Sequence, residues 1–585
     1  MTTTTVPTLT LLGRLREHAT RKPSVPACVF TSDDGEDEQT LTYAELDRDI
    51  RTIATGLRAR LDPGDRALLL LPEGADFVRG FLGCMRAGVI PVPAYPPLPV
   101  QSRQRVETLR AVVADCGPRA VLSAASTEDK DAIRRVVPDL GDVWWSGPGE
   151  LLDGGAPDEA AEYQATPEDI AFLQYTSGST STPKGVVVTH GALAHNVEMI
   201  RTAFGLDEEP RMASWLPLFH DMGLIGNVLH PLWAGGTTIL MTPMTFLKRP
   251  ARWLRAISRH RANVTGAPNF AYDLCTRRVR ASESADLDLS SWRVAYNGAE
   301  PVRAASLDAF AERFAAHGFD PRSWWPCYGL AEATLLVTGG DPRREPSRLT
   351  VDRDAFQRDV VVPADEGTVL VSSGFTSMER TVLIVDPETL RPVPPGHVGE
   401  IWIGGPHLPI GYWGNARATE ETFAARPVGG PPEPYMRSGD LGFLHDGELY
   451  VTGRCKDLLI VGGRNHYPQD IEATVEESHD AVRKGCVAAF AVDDGDRERV
   501  VVVVGAGQGA VGVGEAAAAK RAAIVRAATV AVAAEHGITL DDVAVVGPNA
   551  VPKTSSGKLR RGACRTAYLR GEYLLGAKPE RTEET

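Results

Sequence analysis

The stretch Gln174-Tyr-Thr-Ser-Gly-Ser-Thr-Ser-Thr-Pro-Lys-Gly-Val186 constrains this chain more than any other. It sets hydroxyl residues, glycines and one lysine between two apolar runs, residues 171–175 and 186–188, that read as strands. A tight loop rich in backbone N–H groups and clamped at both ends is a concave anion site suited to a polyphosphate, with Lys184 as its point charge. The order of residues departs from the Walker A pattern, in which Gly-Lys-Ser/Thr opens a helix; here Lys184 follows Pro183 and precedes Gly185. A P-loop ATPase is therefore disfavoured. Alone, such a stretch is equally an ordinary Ser/Thr-rich loop, so the rest of the chain has to decide.

A chain of 585 residues exceeds one core and implies two to four domains. Its formal charge of −14 disfavours nonspecific binding to nucleic acid or to an anionic membrane surface and favours small-molecule chemistry. The eight cysteines form no Cys-x-x-Cys pair and read as reduced structural thiols. No stretch reaches the length of a membrane span, and the first residues lack the basic and apolar regions of a signal peptide. The expectation is a cytoplasmic protein without integral membrane association. The longest apolar run, 516–534, is broken by Lys520, Arg521 and Arg526 and reads as an Ala-rich surface helix.

From about residue 41 to 410, helical runs (43–59, 75–87, 106–115) alternate with strand-like runs (67–71, 89–92, 120–123), the pattern of βαβ units. Runs at 382–385 and 400–403 lie close together between Pro/Gly turns and suggest a small antiparallel barrel or sheet. A fresh α/β pattern begins near 455, and residues 505–514 read as a loop within it. The expected architecture is α/β: a large N-terminal domain, 1–455, of parallel βαβ subdomains plus the antiparallel element, and a small α+β domain, 456–585.

Four further stretches carry chemistry: Tyr328-Gly-Leu-Ala-Glu332, Ser438-Gly-Asp-Leu-Gly442, Gly453-Arg-Cys-Lys-Asp457 and Pro552-Lys-Thr-Ser-Ser-Gly-Lys-Leu-Arg560. With the 174–186 loop they resemble, in order and approximate spacing, the adenylate-forming superfamily over nearly the whole chain. Within it, Trp215-Leu-Pro-Leu-Phe-His-Asp-Met-Gly-Leu224, Tyr296-Asn-Gly-Ala-Glu-Pro-Val302 and Gly463-Arg-Asn-His-Tyr-Pro-Gln-Asp-Ile-Glu472 resemble the fatty acyl-AMP ligases in particular. Those enzymes usually hand the acyl group to a carrier protein rather than to coenzyme A.

The resemblance implies ATP and Mg²⁺ as cofactors and a carboxylate attacking an α-phosphate, one anion approaching another. Thr176, Ser177, Gly178, Ser179, Thr180 and Lys184 would then hold phosphate oxygens, and Glu332 would bind the metal. Lys558 would approach the α-phosphate and the carboxylate together. Asp440, an acceptor-only side chain, suits the two ribose hydroxyls, with Arg454 beside it as a donor. Adenine would lie against Tyr328, with the backbone of Gly298, Ala299 and Glu300 on its other side. Lys456 would be the hinge of a mobile small domain. The superfamily usually has Thr before the metal-binding Glu; here that position is Ala331, a departure that fatty acyl-AMP ligases tolerate.

Amino-acid-activating relatives place Asp directly after a Phe in this region, but Phe219 is followed by His220, which disfavours an α-amino acid. Phe219, Met222, Gly223, Ile225, Gly266 and Phe270 are the expected acyl-pocket residues, in a stretch apolar enough to wall a channel or simply to be core. Each CH₂ buried there would contribute about 0.8 kcal/mol. His220 would position the carboxylate or gate the channel, or serve the structure alone. The polar segment 343–367 resembles the insertion held to restrict the domain rotation needed for coenzyme A. No phosphopantetheine attachment motif occurs, so the carrier would be a separate, phosphopantetheinylated protein, for which the six basic residues of 552–570 offer a dock. The reading is a fatty acid activated to acyl-AMP and passed to that carrier; the alternative is a fatty acyl-CoA synthetase.

Overall fold

The computed structural model describes residues 9–32, 38–96, 103–158, 162–176, 183–342, 344–376, 378, 381–493, 498–512, 514–553 and 558–573. Short strands that are apolar on both faces need cover on both sides, and two parallel sheets form in this way. The first runs Ile90–Pro93, Arg66–Leu69, Ala120–Leu122, Trp144–Ser146 in space, all parallel. The second has nine strands. Six spatial neighbours are parallel: Pro26–Thr31, Thr237–Leu240, Arg211–Ser214, Val264–Gly266, Val294–Asn297 and Trp324–Gly329. Antiparallel strands close both of its edges.

The helix expected over 43–59 forms as Tyr43–Arg58, opened by a capping box in which Thr42 and Glu45 satisfy each other's backbone N–H groups. The one expected over 75–87 forms as Ala75–Ala87 and stops at Gly88, whose φ of 71° suits a residue without Cβ. Almost all of it is buried, including Arg86, which is held by Asp47 at 3.1 Å and Glu162 at 3.4 Å. The antiparallel element consists of Thr381–Val385, Gly399–Gly404, Met436–His445 and Glu448–Arg454, each paired with the next.

Residues beyond 455 build their own core. Val482–Asp493 and Glu498–Ala506 pair antiparallel, and Asp542–Val546 adds in parallel. The Ala-rich helix spans Glu515–His536 and buries only Ile524, Ala528 and Val532, one stripe at intervals of four, as a surface helix should. The strand Glu498–Ala506 and a helical turn at Gln508–Ala510 take up part of the stretch read as a loop. Two apolar clusters contain no residue before 459. We therefore propose the short turn Cys455–Asp457 as the junction between units 1–455 and 456–585.

The helix Arg561–Leu569, which follows the Lys558 segment, is locked by one buried ion cluster. Arg561 donates to both oxygens of Glu472, each at 2.7 Å, and to Asp457 at 3.2 Å; Glu472 also accepts the Ala489 N–H at 3.0 Å. With its side chain only 1% exposed, Glu472 would be left as an uncompensated buried charge if Arg561 were removed. Arg561→Met should therefore destabilise the second unit by about 3 kcal/mol, read as a lower urea midpoint with early loss of amide protection in Val482–Asp493. An unchanged midpoint would show that the cluster does not hold the unit together.

Candidate active site

Open α/β sheets bind ligands outside the carboxyl ends of their strands, because the loops that follow leave a crevice there. In this chain, Arg211–Ser214 leads into residues 215–221, Val294–Asn297 into 298–302, and Trp324–Gly329 into 330–332. Those loops help line a cavity of about 1620 Å³, closed from the other side by residues of the second unit, among them Lys456, Glu472 and Lys558.

Thr176 and Lys184 face each other at the loop end of the antiparallel hairpin formed by Ile170–Thr176 and Lys184–Thr189. Ser177, Gly178, Ser179 and Thr180 lie outside the described residues. The Lys184 ammonium sits 4.7 Å from the centre of the Tyr412 ring, and the Tyr412 hydroxyl donates to Glu332 Oε1 at 3.1 Å. Tyr412 thus links the loop lysine to the carboxylate. Its only sequence signal is an aromatic pair between Gly411 and Gly414, and reading by motif passes over it. Asn196 is a second residue missed in this way. Fully buried in the helix His190–Phe204, it donates to the Ala333 and Leu336 carbonyls at 3.2 and 3.1 Å and accepts the Leu336 N–H, holding the turn that carries Glu332. An Asn among apolar helix positions was the available clue.

Asp440 is 6% exposed and takes one donor on each oxygen, the Tyr328 hydroxyl at 2.7 Å on Oδ2 and Arg454 Nε at 3.1 Å on Oδ1. Arg454 is its direct cross-strand partner. Ala299 lines the cavity at φ 71°, a left-handed conformation uncommon for a residue with Cβ. It turns the 298–300 segment sharply at the end of its strand.

Burial drives the electrostatics. It raises the carboxyls of Asp221, Glu300 and Glu332 above their ordinary values and lowers the Lys558 ammonium. Attraction to Asp221 and Glu300 opposes that lowering, so the lysine and the carboxylates support one another's charge across the two units. Burial, and then Lys558, push the His220 imidazole down to about 3, which leaves the ring neutral at pH 7. Asp221, one residue beyond the position expected for an ammonium partner, faces this cluster.

The expected acyl-pocket residues divide. Met222 and Phe270 line the cavity, whereas Phe219, Gly223, Ile225 and Gly266 do not. Ile225 is buried in the apolar cluster behind it. A Cβ at Gly223 would collide with the Pro217 carbonyl and one at Gly266 with the Tyr296 carbonyl, so these glycines serve close backbone packing. The Phe219 ring packs against Tyr95, 5.1 Å between centroids, and its carbonyl accepts Gln174 Nε2 at 2.7 Å. Gly298 likewise sits behind the surface, against Cys327. The apolar lining is instead made by residues such as Ile200, Phe204, Trp325, Leu335, Phe270 and Leu274. Hydrophobic character alone could not separate wall from core.

Residues 15–413 match the family model described as AMP-binding enzyme, and residues 456–578 match the AMP domain of Disco-interacting protein 2-like proteins. The chain is 38% identical over 577 residues to a medium-chain-fatty-acid–acyl-carrier-protein ligase of Moorena producens, covering 96% of this chain and 95% of that one. It is 38% identical over 581 residues to a long-chain-fatty-acid–AMP ligase of Mycobacterium marinum, covering 95% and 96%. The crystal structure of a fatty acyl-adenylate ligase from Legionella pneumophila in complex with acyl adenylate and pyrophosphate superposes with a TM-score of 0.72 at 38% identity, over 96% of each chain.

Lys558 is expected to titrate below the ordinary 10.5. Replacing Asp221 with Asn removes a charge that favours the ammonium, so the lysine should titrate lower still in Asp221→Asn. Reductive ¹³C-methylation followed by NMR titration measures both, with Lys558→Arg to assign the resonance. A value of 10.5 or above, or an upward move in Asp221→Asn, would contradict the cluster.

Proposed function

The chain belongs to the AMP-binding enzyme family, within the adenylate-forming superfamily, and from that premise we propose the reaction, the residue roles and the acceptor. The protein is a fatty acyl-AMP ligase that uses ATP to activate a medium- or long-chain fatty acid. Its acceptor is the phosphopantetheine thiol of a separate carrier protein. The observation that carries the assignment of roles is the convergence of Lys558 from one unit with Asp221, Glu300 and Glu332 from the other around a cavity that has an apolar wall.

In the first step a carboxylate oxygen of the fatty acid bonds to the α-phosphorus of ATP, the bond from that phosphorus to the bridging oxygen breaks, and pyrophosphate leaves. Two anions meet, so the site has to neutralise charge in a place largely cleared of water. Lys558 serves the α-phosphate and the attacking carboxylate, and Lys184 the outer phosphates. Asp440 accepts from the ribose hydroxyls, while Tyr328 and the backbone of Ala299 and Glu300 flank adenine. Neutral His220 can donate to the fatty carboxylate, and Thr176 supplies a hydroxyl where Ala331 has none.

Among the described residues no group of three His, Cys, Asp or Glu side chains forms a metal cage. That suits Mg²⁺, which ordinarily takes one or two carboxylates and keeps waters and phosphate oxygens for the rest. Glu332 would hold it, with Tyr412 fixing the carboxylate. When bound, the ion would neutralise charge on the phosphate oxygens.

In the second step the carrier thiol attacks the acyl carbonyl carbon and AMP leaves. Lys456, exposed in the turn Cys455–Asp457, is the hinge we propose for exchanging Lys558 for the thiol. Segment 344–367 is bonded to the second unit. Arg353 donates to Glu535 at 2.7 Å, Arg464 to Asp354 at 3.1 Å, and Asn465 to Asp359 at 2.8 Å, while Phe356 packs on Tyr467. Arg343 lies outside the described residues. These ties restrain rotation and disfavour coenzyme A as acceptor. Among the described residues no helix is long and apolar enough to cross a membrane; a cytoplasmic location remains part of the proposal.

Lys558→Ala should reduce fatty-acid-dependent ATP–pyrophosphate exchange by about 10²–10³-fold, as when one preorganised charge-stabilising group is lost, with ATP binding nearly kept. Exchange at the wild-type rate would refute the role. Given fatty acid, ATP, Mg²⁺ and coenzyme A, the intact chain should accumulate acyl-AMP and turn over only with a phosphopantetheinylated carrier. Arg353→Ala combined with Asp354→Ala and Asp359→Ala should release measurable acyl-CoA. Efficient acyl-CoA synthesis by the intact chain, read by mass spectrometry, would favour the synthetase alternative.

A further inference from the structure

The strands Gly399–Gly404 and Met436–His445 fall out of register beside the cavity. Glu400 pairs with Leu441 and Trp402 with Arg437, so Ile401 alone faces Ser438, Gly439 and Asp440. The chain bulges there, and a bulge strips backbone groups of their ladder partners. Side chains replace those partners. Ser438 Oγ donates to the Ile401 carbonyl at 2.6 Å and accepts the Asp440 N–H at 3.0 Å. The Gly439 N–H, at φ 70°, donates to Glu400 Oε1 at 3.1 Å.

Glu400 does more than fill that gap. Its side chain is 3% exposed, and it also receives Arg437 through Nε at 3.0 Å and Nη2 at 2.7 Å, and Trp402 Nε1 at 3.0 Å. Arg437, which lies 5.4 Å from the Trp402 ring, is anchored on both residues. Donors from a guanidinium, an indole and a backbone amide therefore meet one buried carboxylate, on both sides of the bulge that presents Asp440. The neighbouring strand pair Thr381–Val385 with Gly399–Gly404 holds its register over five consecutive positions with no such bulge.

We propose that Glu400 is a positioning residue for nucleotide recognition: it fixes the 438–440 bulge so that the Asp440 carboxylate meets the two ribose hydroxyls. The inference rests on the reading of Asp440 as the ribose ligand. Glu400 acts through Gly439 and Arg437, and its effect belongs to the sugar rather than to the acyl chain or the phosphates.

The test is ATP–pyrophosphate exchange with ATP, 2′-deoxy-ATP and 3′-deoxy-ATP, on wild type, Asp440→Ala, Glu400→Gln, Glu400→Asp and Arg437→Lys. Glu400→Gln puts an amide donor among donors. It should raise KM for ATP and shrink the preference for ATP over each deoxy analogue by about tenfold, the order of one hydrogen bond, while kcat changes less and KM for the fatty acid stays unchanged. Arg437→Lys should move discrimination the same way and covers the case in which Glu400→Gln does not fold. Glu400→Asp should recover part of the loss. Ile403→Val, a buried truncation on the same strand, controls for loosened packing and should keep wild-type discrimination. If wild type fails to discriminate, or Asp440→Ala leaves discrimination intact, the ribose reading falls and this inference with it. If Asp440→Ala loses discrimination while folded Glu400→Gln and Arg437→Lys keep it, the role of Glu400 alone is overturned.

Discussion

A lysine held partly dry among carboxylates is the interaction on which the rest of this structure depends. Lys558 belongs to the second unit, Asp221, Glu300 and Glu332 to the first, and burial works against the charge of all four. The attraction of Lys558 to Asp221 and Glu300 offsets that cost only while the two units are apposed. The closed arrangement and the chemistry it permits therefore have the same cause. Opening the cavity would rehydrate every member of the cluster and weaken its effect on a developing charge.

That apposition is built in layers. Arg561 fastens the helix after Lys558 to Glu472 and Asp457, so the lysine segment is carried by a rigid second unit. Segment 344–367 then ties that unit to the first through polar bonds, and Tyr467, with Leu458 packed beside it, inserts its ring into an apolar cluster whose other buried members precede 456. Two of the contacts around the segment, Arg353–Glu535 and Arg464–Asp354, are exposed ion pairs, each of modest worth. They would restrain the proposed rotation without forbidding it, as the proposed exchange of lysine for thiol requires.

On the first unit, backbone irregularity does the positioning. Ala299 turns left-handed at the end of its strand, Thr334 does so after Glu332, and Gly439 does so inside a bulge. Each lies beside a residue assigned a part in nucleotide or metal binding, and two of them are held by side chains: Thr334 Oγ1 donates to the His407 carbonyl, Asn196 brackets the same turn, and Glu400 takes the Gly439 N–H. Strained backbone persists only where its surroundings over-determine it.

The alternation of helical and strand-like runs made the parallel sheets legible, and the helices expected over 43–59 and 75–87 form as 43–58 and 75–87, the first opened by a capping box and the second ended by a glycine, both local in the chain. The turn carrying Asp440 was legible as well, because its residues are local in the chain; residues 177–182 of the glycine-rich loop and 554–557 before Lys558 lie outside the described residues. What the chain alone left open was which apolar residues face the ligand. Ile225 and Met222 are equally apolar, and only the packing of the π-wound helix Met222–Leu229 against neighbouring elements sends one into the core and the other to the cavity. Tyr412, Asn196 and Glu400 stayed hidden for a related reason: each acts on a partner dozens of residues or more away, at 80, 137 and 39 positions respectively. Short-range chemistry is written in neighbouring residues, whereas support for that chemistry comes from wherever the folded chain returns, and only the tertiary structure decides that.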